Sequence, residues 1–252
     1  MGGAAIGLAE LLLLLAAGLV GGACNAIAGG GTFFTFPALL HVGVPPVAAN
    51  ATSAISIWPG HATSLLGYRE ELRRQSARLK ASAPVFILGG IVGAALLAAT
   101  GNAVFRQLIP WLLLAATLLF AAGPWLRAWV SAHRGGELPR AALLAIDFAV
   151  AVYGGYFGAG LGILLMAVLT LIGIDDVNEA NALKNALATV VTSVAVAVFV
   201  ATGIIAWLPG LVVLAGAIAG GYLGARLARW VKPSVLRAVV IAVGLLLTWS
   251  YF

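Results

Sequence analysis

Two stretches decide the fold: Gly21–Ser53, GGACNAIAGGGTFFTFPALLHVGVPPVAANATS, and Tyr153–Asn185, YGGYFGAGLGILLMAVLTLIGIDDVNEANALKN. They belong to a longer correspondence, in which residues 20–110 lie over 151–241 at a constant offset of 131 without a gap. Ala28-Gly29 and Gly31 fall on Ala159-Gly160 and Gly162, and Ala49-Asn50-Ala51 falls on Ala180-Asn181-Ala182. Further along, Gly89-Gly90 and Gly93-Ala94 fall on Gly220-Gly221 and Gly224-Ala225, and Arg106 falls on Arg237. Because an asparagine pair and an arginine pair coincide as well as small residues, the register is more than shared composition. A duplicated apolar chain with glycine tips and polar residues at matched points is a common plan of secondary transporters.

Composition sets the solvent. Of 252 residues, 62% are hydrophobic and only 9% charged, against about a quarter charged in soluble domains. With a mean hydropathy of +1.08, the chain reads as an all-α polytopic membrane protein. The start, Met1 to Leu15, carries Glu10 and lacks a basic n-region, so a first transmembrane segment is expected there rather than a cleaved signal peptide. The single cysteine, Cys24, excludes an intrachain disulfide and a cysteine zinc site. The net charge of +6 does not point to nucleic acid, because the basic residues cluster in a few loops, as cytoplasmic loops over anionic lipid do.

Apolar runs occur at roughly 5–28, 32–42, 47–66, 82–100, 107–129, 141–157, 163–173, 179–201, 209–229 and 234–251. Helices are the only open-chain way to satisfy the backbone in lipid, so all ten are expected to be helical. Runs 32–42 and 163–173 reach only about 16 Å, half the hydrocarbon core, and are read as short crossing helices or arms of re-entrant hairpins. Arg69, Arg73, Arg74, Arg78 and Lys80 mark one connection as cytoplasmic, whereas its counterpart 198–211 has no charge. Conversely 226–237 carries Arg226, Arg229, Lys232 and Arg237, while 95–106 carries only Arg106. Equivalent loops therefore lie on opposite sides, and the repeats are inverted. The linker with Arg127, Arg134 and Arg140 falls on the cytoplasmic side, and both termini outside. The expected organisation is a first repeat over 1–130, a cytoplasmic linker over 131–140 and a second repeat over 141–252, each with about five helical segments.

Inversion sends one short helix down from outside and the other up from inside, so that their glycine tips meet near the midplane. The tips are Gly29, Gly30 and Gly31, and Gly158, Gly160 and Gly162. Unpaired N–H groups and the positive dipole end at each helix start favour an anion, and glycine lets a ligand approach the backbone. The competing explanation is close helix packing through small residues. Asn50 and Asn181, one turn inside their helices, either cap the adjacent loop or hydrogen-bond a ligand. Lys184, in an apolar helix, is the sharpest single residue, since lysine there is costly; it serves as an anion contact or as a supporting ion pair, with a stem long enough to snorkel. Asn185 follows it. The counterpart of Lys184, Ser53, is small and neutral, which makes the site asymmetric. Thr52, Ser53, Thr189, Thr192 and Ser193 line a path or bond back to their own helices. His61, after Trp58-Pro59-Gly60, is a proton relay or a structural histidine. Asn25 and Cys24 precede the first tip as lining candidates, and Asp147 is a helix-start residue or a buried acid. Asp175, Asp176 and Glu179 read as helix-start acids. No P-loop, metal-binding histidine pair or nucleophile elbow is present; no cofactor, metal or catalytic residue is expected.

The two quoted stretches, each with its glycine tip, short apolar arm and asparagine-bearing helix start, resemble the TauE/SafE sulfite exporter family, also called the 4-toluene sulfonate uptake permeases. The similarity covers nearly the whole chain. It implies a multi-pass permease of the bacterial inner membrane for small anionic sulfur or carbon compounds such as sulfite, organosulfonates or thiosulfate, as exporter or importer. Asp175-Asp176 stand where the first repeat has Pro45-Pro46's neighbourhood, a departure from a strict duplicate. The resulting expectation is alternating-access transport of a small anionic substrate within the lipid bilayer. A channel of the same fold and a permease for a non-sulfur organic acid remain alternatives. Homodimerisation and coupling to a proton or sodium stay open.

Overall fold

A computed structural model describes residues 6–27, 29–133, 139–227 and 233–252. Ala28, Arg134, Arg229 and Lys232 lie outside the described residues, as does the side chain of Arg226. In chain order the elements are α1 (Leu8–Ile27), α2 (Thr32–His41), α3 (Pro46–Ser64), a 3-10 turn at Leu65–Gly67, α4 (Arg69–Arg74), α5 (Ser76–Ala99), α6 (Asn102–His133), α7 (Arg140–Tyr156), α8 (Leu161–Leu171), α9 (Val177–Ala201), α10 (Trp207–Leu227) and α11 (Pro233–Tyr251). No strand occurs among the described residues. Helices α1, α5, α6, α9 and α10 contain spans long and apolar enough to cross a membrane. The protein is an all-α, multi-pass membrane protein.

All ten expected segments are helices, with two extensions. The basic connection is itself helical: α4 has Glu70 and Glu71 in its first turn and Arg73 and Arg74 in its last, the arrangement that complements the helix dipole. Helix α5 then starts at Ser76, so Arg78 and Lys80 lie on it, a turn and a half before the apolar run at 82. Hydropathy locates the lipid-facing length of a helix, not its polar first turns. Likewise α6 outruns 107–129 at both ends. Exposed Trp111 near its start and exposed Trp125 and Trp129 near its end stand where aromatic belts form. Trp111 and Trp129 are separated by about 27 Å of helix rise, close to the thickness of the hydrocarbon core.

The bundle has two ends. Connections 65–75 and 172–176 share one of them, where Gln75 Nε2 donates to Glu179 Oε2 at 2.6 Å; this is the basic end. Loops 42–45, 100–101 and 202–206 share the far end. Helices α2 and α8 are about 15–17 Å long and start at chain breaks inside the bundle. The breaks turn on left-handed glycines: Gly29 at φ +80°, Gly158 at +74° and Gly160 at +77°, a conformation costly for any other residue.

Helix α1 packs on α10, α5 on both α7 and α9, α11 on α6, and α3 between α9 and α10. Two of these interfaces run on glycine. A side chain at Gly18 or Gly22 would run into the carbonyls of Val213 and Ala217, and one at Gly216 or Gly220 into those of Leu15 and Leu19. On the other side of the molecule, Gly93 lies against the Val152 carbonyl and Gly155 against that of Gly90. In lipid, where apolar burial gives little drive, such backbone approach is a main source of helix association. One ion pair supports the α5–α7 contact: buried Asp147 accepts from Ser82 Oγ at 3.0 Å and pairs with Arg78 Nη2 at 3.4 Å. Asp147 is therefore a buried acid with a partner, and not a helix-start residue.

Two outcomes are expected. Gly93→Val and Gly220→Val each force backbones apart and cost more than the roughly 1–3 kcal/mol of ordinary overpacking; the detergent-solubilised variants lose the monodisperse peak in size-exclusion chromatography or melt well below wild type. Asp147→Ala leaves Arg78 without its carboxylate, at a cost of about 3–5 kcal/mol. Adding Arg78→Ala to it recovers part of the lost melting temperature, and an additive double variant would contradict a direct pairing.

Candidate functional site: a polar cavity at the glycine tips

Helix α8 starts without a cap. Its N-cap is Gly160, which offers no side-chain acceptor, and the N–H groups of Ala159, Gly160 and Gly162 have no backbone acceptor among the described residues. Tyr153 Oη donates to the Ala159 carbonyl and holds the tip in place. The first tip is arranged differently: Gly29 N–H donates to the carbonyls of Cys24 and Asn25 at 3.1 and 3.2 Å, closing the end of α1. Gly31, the N-cap of α2, again supplies no side-chain acceptor.

Between the tips lies a cavity of about 740 Å³. Gly29, Asn50 and His61 line it from the first half, and Gly158, Gly162, Lys184 and Asn185 from the second; it reaches the basic end at Ser131 and Asp175. Lys184 sits about 12 Å along α9 from its N-cap Asp176. Gly162 leaves room for the lysine stem, whose Cδ would be 3.6 Å from a Cβ at that position. The ammonium donates to Asn181 Oδ1 at 2.9 Å, a neutral acceptor that orients the charge without cancelling it. Arg127 from α6 and Arg237 from α11 also line the cavity. Among the described residues none of these three cations is in an ion pair. Three cations, with Asp175 the acid in the wall, give the space a potential that attracts anions.

The residues singled out from sequence divide into two groups. Gly29, Asn50, Gly158, Gly162, Lys184 and Asn185 share the cavity wall with Asn25, His61, Asp175 and Thr192, and Asn181 reaches it through Lys184. The others serve packing and hydrogen bonding. Gly30 is set against Phe120 and Val240, Gly31 against the Gly21 carbonyl and Asn25, and Gly160 faces the Ala116–Leu119 turn of α6. Thr52 Oγ1 accepts from Ala206 N–H at 2.9 Å, and the Ser53 and Thr35 hydroxyls bond each other at 2.6 Å; both residues are fully buried. Thr189 bonds back to the Asn185 carbonyl, and Ser193 accepts from Trp58 Nε1 at 2.8 Å. Arg127 and Arg237 were legible in the sequence only as loop charges; their helices carry them inward from the basic end.

The far end is shut. Phe36 meets Phe105 and Phe157 edge to face, and Phe105 meets Tyr156. Hydrogen bonds tie α3 across this seal: Asn102 Oδ1 accepts from Val47 N–H at 3.0 Å, Asn50 Nδ2 donates to the Tyr156 carbonyl at 2.8 Å, and Ser56 Oγ donates to the Gly210 carbonyl at 3.0 Å. The arrangement can admit a small solute from the basic end, hold it at uncapped backbone and a lysine, and stop it before the far end.

Comparison with known proteins agrees with a transport role. The chain is 30% identical to a probable membrane transporter protein of Haemophilus influenzae, over 96% of this chain and 94% of that one. It is 28% identical to the probable membrane transporter protein ORF9 of a Sinorhizobium species, over 94% and 90%. It is also 28% identical to the probable membrane transporter protein YfcA of Escherichia coli K12, over 89% and 83%. No solved structure matches the chain. The profile of the family described as sulfite exporter TauE/SafE covers residues 14–251, and the chain belongs to that family of membrane transporters.

Proposed function

We propose that this protein is a secondary transporter that carries a small sulfur-containing anion, sulfite or an organosulfonate, by alternating access. The observation that carries this reading is the meeting of Lys184 and the uncapped start of α8 in a cavity sealed at its far end. The ammonium and the backbone N–H groups would bind the oxygens of the anion, as helix starts do in other anion sites. Gly158 and Gly162 would let the ligand reach the backbone, while Asn181 and Asn185 would position it. The role is transport, not catalysis.

Pairing of the elements supports the inverted-repeat reading, with repeats over 1–130 and 141–252 and a linker over 131–140. The α1–α10 contact becomes α7–α5 under the 131-residue offset, α5–α9 becomes α10–α3, and α2–α3 becomes α8–α9. Four pairs of equivalent positions face the one cavity: Thr32 and Ile163, Ala54 and Asn185, Ile57 and Ala188, His61 and Thr192. A site on the axis relating two inverted halves can be exposed to each side in turn by rocking one half on the other. The basic end is assigned to the cytoplasm of the bacterial inner membrane by its arginines, so this conformation faces inward. The sealed far end favours a carrier over a channel.

Two experiments test the reading. Proteoliposomes with wild-type protein are expected to show saturable uptake of labelled sulfite and counterflow by preloaded sulfite, and Lys184→Ala to lose roughly tenfold or more of it while eluting as wild type. Uptake that does not saturate would point to a channel, and full uptake by the variant would remove Lys184 from the path. In a Cys24→Ser background, cysteines at Asn185 and Thr192 should react with a membrane-impermeant thiol reagent from the basic side only, and a cysteine at Ser53 from neither. Equal labelling from both sides would overturn the inward-facing assignment.

A further inference from the structure

Asn50 has one half of its amide engaged and the other half stranded. Only the amide nitrogen can donate, so the 2.8 Å bond to the Tyr156 carbonyl fixes which way the group faces. The oxygen, Oδ1, then has no hydrogen-bond partner, although the residue is 3% exposed and lines the anion cavity. A buried acceptor without a donor is costly, and none of the described residues donates to it. We propose that Asn50 makes the site selective for anions that also bear a hydrogen-bond donor, Oδ1 accepting from the ligand's own O–H or N–H. The inference rests on the anion-carrier reading above and narrows its substrate class.

Apart from water, which the buried oxygen does not reach in this conformation, a carbonyl oxygen is satisfied by a donor on the ligand or by a metal cation. The cavity holds Lys184, Arg127 and Arg237 against Asp175, and a further cation would enter against that charge. A ligand with an anionic head and a donor meets both demands at once: its oxygens go to Lys184 and the start of α8, and its O–H or N–H goes to Asn50. Suitable ligands are the hydrogen form of a dibasic sulfur oxyanion, or a short sulfonate with a hydroxyl or ammonium group. In the present conformation Oδ1 has no access to water, so the bond forms as the walls close on the ligand. At that point a ligand without a donor leaves the acceptor buried and unpaired. Sites built this way reject analogues lacking the group far more strongly than apolar pockets reject a missing methylene.

The probes are ethanesulfonate and 2-hydroxyethanesulfonate, which differ by one hydroxyl. Each displaces labelled sulfite from the purified, detergent-solubilised full chain, as wild type and as Asn50→Leu, with size-exclusion chromatography to check folding. Wild type is expected to bind the hydroxylated sulfonate at least about tenfold more tightly, and Asn50→Leu to bring that ratio close to one. The wild-type ratio needs no variant, so a misfolded Asn50→Leu does not spare the proposal. Equal binding of the two sulfonates by wild type, or a preference that survives the substitution, would overturn the role of Asn50 and leave the anion carrier standing. Failure of wild type to bind sulfite and both sulfonates would overturn the carrier's substrate class, and this inference with it.

Discussion

The structure depends on how closely α1 approaches α10 and α5 approaches α7. Inside a bilayer two helices gain nothing by hiding leucines from lipid, because lipid hides them equally well. What remains is dispersion between surfaces that fit, and glycine at Gly18, Gly22, Gly216 and Gly220 brings backbone against backbone. Gly89, Gly93 and Gly155 do the same on the other side. Each contact joins the first of the five segments of one sequence repeat to the fourth of the other. These contacts hold the flanks of the bundle together, and the short helices α2 and α8 are left to fill the middle. Because these two stop partway through the bundle, the middle contains helix starts, and helix starts carry unpaired donors. The cavity and its chemistry therefore follow from the packing of its flanks.

Polar groups at this depth are tolerated on one condition: each must have a partner or reach water. Most meet it locally. Thr117, Thr170 and Thr248 bond back to the carbonyl four residues earlier, and Asp147 is held by Ser82 and Arg78. Lys184 meets it through Asn181 and the cavity. A lysine whose acceptor is a neutral amide keeps its charge available, whereas a carboxylate partner would have spent it on the protein. Arg78 and Lys184 thus illustrate two uses of a cation: one neutralised to hold helices, one left open toward a space that a solute can enter.

Much of the architecture could be read from the chain, because hydropathy and glycine placement are local properties. The ten helical segments, the two short ones, the breaks at Gly29 and Gly158 and the prominence of Lys184 all follow from residue type and order. The failures concern orientation. Thr52 and Ser53 resemble path-lining residues in sequence, yet face α2 and the 202–206 loop. Asn50, two and three positions earlier, faces the cavity; a rotation of about 100° per residue separates the two fates. Sequence alone does not set that angle, since it depends on which neighbour each face meets. Arg127 and Arg237 were hidden for a related reason. Their charges mark a membrane boundary, but only the paths of α6 and α11 decide whether they face lipid headgroups or the space between helices.

The equivalent asparagines carry this argument one step further. Asn50 and Asn181 occupy matched places 131 residues apart, but their amides do different work. Asn50 donates to the C-terminal carbonyl of α7 at the sealed far end, whereas Asn181 accepts from Lys184 on the side of the open cavity. The position in α1 that matches Tyr156 is Asn25, whose carbonyl accepts from Gly29 N–H, and the amide of Asn181 is turned to Lys184 instead. Two proposed repeats in unlike environments are what one side of the proposed alternating cycle requires. Full symmetry would close both ends or open both. In the proposed cycle, then, the broken symmetry is the conformational state itself: the amide that ties α3 to α7 at the far end and the amide that accepts from Lys184 beside the cavity are the same residue type in the same register, each answering to its own half's position.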